Sequence, residues 1–159
     1  MKPSQIAAEE NSLSENNSLS LYDRDFCLWA EVAAQLLREG KFTELDLENL
    51  IEEVEDMSGS QKRAFASNLR VLLMHLLKCK YQPRRRSRSW ELTIIEHRIR
   101  LDDALTESPS LQQYFLEVFD KTYQKARNQA VRETKLAIET FPPQCPFNPE
   151  QLLDGDFFP

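Results

Sequence analysis

The chain has 159 residues, enough for one domain of ordinary size with a substantial core, and glycine is scarce at three. Its 20 basic and 26 acidic side chains give a net charge of −6, so the protein as a whole repels polyanions and nucleic-acid binding would need a local basic patch. Cys27, Cys79 and Cys145 are odd in number and lack any C-x-x-C spacing, which argues against a disulfide framework and against a cysteine zinc site.

The opening "MKPSQIAAEENSLSENNSLS" has no apolar core of the kind a signal peptide carries. No later stretch reaches the roughly 18 uncharged apolar residues of a membrane span, so the expectation is a cytoplasmic protein without membrane contact. Residues 1–20, rich in Ser, Asn and Glu, bury too little to offset the entropy of ordering and read as a disordered tail. Residues 21–159 read as a single helical domain.

From Tyr22 to Glu39, Phe26, Trp29, Ala30, Ala33, Leu36 and Leu37 recur at threes and fours, and Gly40 suits a left-handed C-terminal cap. The next segment, "TELDLENLIEEVEDM", sets Leu47, Leu50, Ile51 and Val54 on one face, with Asp46 or Thr43 able to accept from the free N–H groups at its start. "SGS" at 58–60 is a candidate kink or break. Beyond it Phe65, Leu69, Leu72, Leu73, Leu76, Leu77 and Cys79, widened by Val71 and Met74, make a helix apolar nearly all round, which belongs at the centre of a bundle. Pro83 ends it.

Ser87 or Ser89 can cap a fourth helix with Trp90, Ile94, His97, Leu101 and Leu105 on one stripe; Ile95 and Ile99 on the other side predict that it is covered twice. "SPS" at 108–110 opens a fifth helix carrying Leu111, Phe115, Val118, Thr122 and Ala126 to about Thr134. The tail "TFPPQCPFNPEQLLDGDFFP" holds five of the eight prolines and reads as a wrap with one short helical turn after Asn148. Nothing alternates with period two, so the fold class is all-α: a single-domain bundle of about five helices with a proline-rich C-terminal wrap.

Charge is organised by segment. Seven of the thirteen residues from Glu44 to Asp56 are acidic, whereas Lys78 to Arg100 holds eight basic and two acidic residues. Glu48, Glu52 and Glu55 fall along one flank beside the apolar face, as a solvated edge, as partners for the arginines or His75, or as metal ligands. His75, inside "VLLMHLLK", needs a hydrogen-bond partner, because an unpaired buried imidazole costs roughly 1–3 kcal/mol; Glu52 or Glu55 is the candidate. His75 and Cys79 are spaced for helix packing and also for a Cys-His pair. The Glu-x-x-His motif of di-metal bundles does not occur.

"RRRSRSW" at 84–90 concentrates cations. Four guanidinium groups on phosphates would give a salt slope of only about −3.6, the mark of weak, non-specific binding. Burial of Trp90, about 150–250 Å² and up to about 4–6 kcal/mol, is the stronger device for ordering this loop.

The stretches "LYDRDFCLWAEVAAQLLREGKFTELDLENLIEEVEDM", "LLMHLLKCKYQPRRRSRSW" and "TFPPQCPFNPEQLLDGDFFP" resemble the bacterial family called domain of unknown function family 29, in order and over about residues 21–159. The resemblance implies an all-helical domain and brings no catalytic residue, cofactor or substrate. The family pattern is matched at His75, Lys78, Tyr81 to Pro83, Arg85, Arg88, Ser89 and Trp90; Arg84 stands where that pattern often has an acid.

The leading expectation is therefore a non-enzymatic protein-interaction module with no cofactor and no assigned catalytic or metal residue. Its polar network or docking surface would draw on Glu48, Glu52, Glu55, His75, Lys78, Arg85, Arg88 and Trp90. A nucleic-acid-associated regulator would use Lys80, Arg84, Arg85, Arg86 and Arg88. A metal-dependent enzyme would use Glu48, Glu52, Glu55 and His75.

Overall fold

The first helical turn is nucleated by Ser20, whose hydroxyl accepts from the Asp23 N–H at 3.3 Å. The structure, a computed structural model, describes residues 19–159; the expected disordered tail therefore lies, up to residue 18, outside the described residues. Among them are six α-helices and three short 3-10 turns, with no strand: α1 (Leu21–Arg24), α2 (Phe26–Glu39), α3 (Leu47–Tyr81), α4 (Arg88–Glu107), α5 (Leu111–Thr134) and α6 (Pro149–Leu153). The protein is all-α, and no described helix is long and apolar enough to cross a membrane.

The segment read as one helix from Tyr22 is two. Asp25 leaves helical geometry and caps α2 by accepting from the Leu28 N–H at 3.0 Å, and Gly40 closes it in the left-handed conformation at φ 69°. "SGS" does not interrupt α3, which runs unbroken for 35 residues. One glycine costs a helix only about 1 kcal/mol relative to alanine, and Gly59 is flanked by strong helix formers such as Glu55, Gln61, Lys62 and Ala64. α3 ends at Tyr81, where Pro83 starts a 3-10 turn.

The chain groups into two compact units that divide between Met57 and Ser58. Among the described residues of the first, only Trp29 and Ala33 are buried, and Tyr22, Phe26 and Trp29 form a ring cluster at centroid distances of 4.9–5.8 Å. In the second, Phe65, Leu69, Leu72, Leu73, Leu76 and Leu77 pack with Ile94, Leu101, Phe115, Tyr123, Ala126 and Ala130.

Contacts fix the directions of these helices. Ser108 meets Gln61 and His97 meets Asn68, so α4 runs antiparallel to α3. Phe65 meets Phe115, Arg70 meets Gln129 and Lys78 meets Glu133, so α5 runs parallel to it. Among the described residues α4 is covered on one side only. Leu92, Ile95 and Ile99 are exposed, correcting the expectation that two neighbours sandwich it.

The C-terminal segment carries its prolines, yet it is not a distinct proline-rich wrap. It comprises a 3-10 turn at Ile138–Thr140 and the capped helix α6, and drops Phe141, Phe147 and Leu152 into the core. Proline removes backbone donors, so the segment's carbonyls must find donors elsewhere. Helix side chains supply them: Tyr123 to Pro142 (2.6 Å), Gln124 to Pro143 (2.6 Å), Arg127 to Phe141 (2.9 Å), and Arg98 to Leu152 (2.8 Å) and Phe157 (2.6 Å).

Candidate functional site

In the first unit the polar tips of two aromatic residues find carboxylates. Tyr22 donates its hydroxyl to Glu53 at 2.5 Å; this bond, aided by burial and the Glu53 charge, pushes the phenol up to about 12. The Trp29 indole donates to Asp46 at 3.1 Å, and the Asn49 amide donates to the same oxygen at 2.8 Å. The Asn49 amide is the main influence holding the Asp46 carboxyl below its ordinary value; burial opposes it, and the indole adds to the lowering. Thus the carboxylates engaged here are Asp46 and Glu53. Glu48, Glu52 and Glu55 are exposed on a neighbouring flank of α3.

On that helix Leu47, Ile51 and Val54 recur at i, i+4 and i+7 and are 56%, 50% and 58% exposed. The sequence pattern marks the stripe correctly as apolar, but no described residue buries it. The unit is also strongly acidic, with three basic against eleven acidic residues over 19–57, a net −8.

In the second unit His75 is half-buried, and its Nδ1 lies 2.9 Å from the Val71 carbonyl one turn back. Donation to that carbonyl takes the place of the carboxylate expected from Glu52 or Glu55. His97 is similarly held, Nδ1 to Asn68 Oδ1 at 2.8 Å. Cys79 is buried, and burial pushes its thiol up, the opposite of what activates a nucleophile.

Lys78 is the sequence-predicted residue with the densest surroundings. It is buried, its ammonium lies 4.4 Å from the centre of the Trp90 ring, and it meets Glu133 at 2.8 Å. Burial alone would raise the Glu133 carboxyl; hydrogen bonds from Lys78 and Gln129, with the Lys78 charge, overcome it and hold the group low. Glu133 was not singled out in the sequence, although a lysine inside an apolar run is itself a signal that a carboxylate must come from elsewhere.

The arginine run divides. Ser87, not Ser89, caps α4, accepting from the Trp90 N–H at 3.3 Å. Arg86 is the member tied down, donating to Glu91 at 2.8 Å and to the Pro159 carbonyl at 3.3 Å and lying over Phe158. Lys80, Arg84, Arg85 and Arg88 are exposed. Among the described residues no group of three or more His, Cys, Asp and Glu is placed to hold a metal ion.

Burial sets the pH response. It lowers the His75 pKa from 6.5, the Val71 carbonyl opposing and Lys78 assisting; burial, then Arg100 and His75, do the same to His97. A histidine with a depressed folded pKa binds its proton better when unfolded. Its contribution is complete above the unfolded value, near 6.5, and is lost as pH falls through the folded value. The urea midpoint should be flat between about pH 8 and pH 7 and decline below about pH 6.5, less steeply in His75→Gln. A midpoint constant down to about pH 5 contradicts this account.

Residues 21–158 match the family model described as "Domain of unknown function DUF29". No curated protein and no solved structure matches the chain.

Proposed function

From the premise that the chain belongs to the DUF29 family, which supplies a helical scaffold and no chemistry, we propose that it is a non-enzymatic protein-interaction module. Its partner is a basic amphipathic helix that docks on the first third of α3. The single observation that carries this reading is the exposed stripe of Leu47, Ile51 and Val54 beside the acidic flank of Glu48, Glu52 and Glu55. Apolar rows at helical spacing are what helix-in-groove recognition uses, and the net −8 of residues 19–57 selects a cationic partner and steers its approach.

The test is titration of the full chain with a labelled amphipathic peptide of leucine and lysine, followed by anisotropy. Ile51→Glu/Val54→Glu should weaken binding by about tenfold or more, since each buried aliphatic side chain contributes about 1.5–3 kcal/mol. Arg84→Ala/Arg85→Ala should leave it unchanged. Equal affinity for the wild type and the Ile51/Val54 variant rejects the reading. Concentration-dependent dimerisation abolished by the same variant would reassign the face to a second copy of the chain.

A further inference from the structure

The second unit inverts the charge of the first: residues 58–159 hold sixteen basic against twelve acidic side chains, a net +4 in a chain of −6. Part of that excess converges. A groove of about 930 Å³ opens between α3 and α5, with Arg63 and Arg70 on one wall and Lys125 and Arg132 on the other. Residues seven apart on a helix share a face, with about 10 Å between them along the axis, so Lys125 and Arg132 stand two turns apart on the α5 wall, with Arg70 facing them from α3.

Three features suit this groove to anions. Arg70 donates to Gln129 across it at 3.0 Å, which orients the guanidinium plane before any ligand arrives. The carboxylate on its wall, Glu133, is already engaged by Lys78 at 2.8 Å and by Gln129 at 3.1 Å, so it is not the partner of Lys125 or Arg132. Ser67 and Asn128 add uncharged donors between the charged positions.

We propose that this groove binds a small molecule carrying two or more phosphate groups. Its volume lies in the range of small-ligand sites, roughly 300–1,000 Å³, while its charged lining selects by electrostatics and hydrogen bonding instead of by apolar contact. Arginine forks match phosphate oxygens bidentately. One phosphate reaches only one end of a wall about 10 Å long, so a second anionic group is needed to engage both. A long polyanion would meet the repulsion of a chain with net charge −6, which favours a compact ligand over nucleic acid. The groove belongs wholly to the second unit, so the proposal stands or falls independently of the docking face on the first.

The experiment is calorimetric titration of the full chain at about 50 mM salt with inorganic tripolyphosphate, orthophosphate and a short single-stranded oligonucleotide as separate arms. Tripolyphosphate should bind saturably and at least about tenfold more tightly than orthophosphate. Lys125→Ala/Arg132→Ala, which alters two exposed side chains without touching the core, should weaken it by about tenfold or more at unchanged urea midpoint. Arg70→Gln provides a second variant from the facing wall with the same expected direction, and Arg84→Ala/Arg85→Ala should have no effect. The proposal is overturned by absent or non-saturating binding, by equal affinity for the two phosphates, by indifference to Lys125 and Arg132, or by an oligonucleotide that binds more tightly at equal phosphate concentration.

Discussion

Replacing Arg98 by methionine should destabilise the protein by about 3–5 kcal/mol and release the C-terminal segment. Arg98 is 4% exposed, yet it faces no carboxylate at ion-pair distance in its own unit; it spends its donors on main-chain oxygens. The guanidinium nitrogens reach the carbonyls of Leu152 (2.8 Å), Phe157 (2.6 Å), Gln151 (3.4 Å) and Gly155 (3.4 Å), and the group lies over the Phe158 ring. Burial draws its pKa below the ordinary arginine value, with the Asp154 charge opposing, but arginine stays protonated throughout the accessible pH range. Methionine keeps much of the side-chain volume and removes every donor, stranding several carbonyls that the loop cannot pair internally. Arg98→Lys, with one compact ammonium in place of a planar fork, should recover less than half of the loss. Urea unfolding gives the magnitude, and limited proteolysis should cut the variant between Phe141 and Phe158 first. A loss below about 1 kcal/mol would mean that solvent replaces the arginine and that the clasp is not structural.

How far the sequence foretold this depends on whether the signal is local. Helical periodicity, Gly40 and Pro83 act within a few residues, so the helices and most of their ends are legible. Where a strong signal competes with a weak one, the strong one wins: "SGS" suggests a break, but a single glycine does not stop a helix that goes on to bury Phe65, Leu69, Leu72, Leu73, Leu76 and Leu77 in a core. Apolar periodicity also marks a face without saying that it is covered. The stripe of Leu47, Ile51 and Val54 and that of Leu92, Ile95 and Ile99 have the same pattern as the core stripes and remain exposed.

The polar sites depend on pairings between distant residues, which spacing does not encode. Lys78 was visible as an oddity in an apolar run, but Glu133, 55 positions away, was not visible as its answer. Arg98 sits four residues after Ile94 and three before Leu101, a core-facing register in which an arginine must find acceptors, and that register is the one local signal of the clasp. The groove cations at 63, 70, 125 and 132 show only a seven-residue spacing within each helix; it is the parallel packing of α3 and α5 that brings the two pairs together.

That packing rests on Phe115, and its truncation is the second large effect expected. The ring is fully buried and stands edge-on to Phe65 at 5.6 Å and to Phe119 at 5.8 Å, where α5 meets the middle of α3. Phe115→Ala removes the ring and leaves a cavity between two helices that α4 also holds in place, so collapse around it is limited and the loss should be about 3–5 kcal/mol. With total stabilities of about 5–15 kcal/mol for ordinary domains, such a loss removes about a third or more of the stability of a mid-range domain. Phe115→Leu retains most of the volume and should lose about 1–2 kcal/mol. The two substitutions also separate packing from ligand binding. Tyr114, the next residue, lines the groove while Phe115 points into the core beneath it. Phe115→Leu should therefore keep its affinity for tripolyphosphate within about threefold, because the cations are carried by helices whose spacing the leucine preserves. A large affinity loss in Phe115→Leu at nearly full stability would show that the groove depends on sub-ångström helix spacing and not on charge alone. A loss below about 1 kcal/mol in Phe115→Ala would show that the interface between α3 and α5 is held by other residues than this ring.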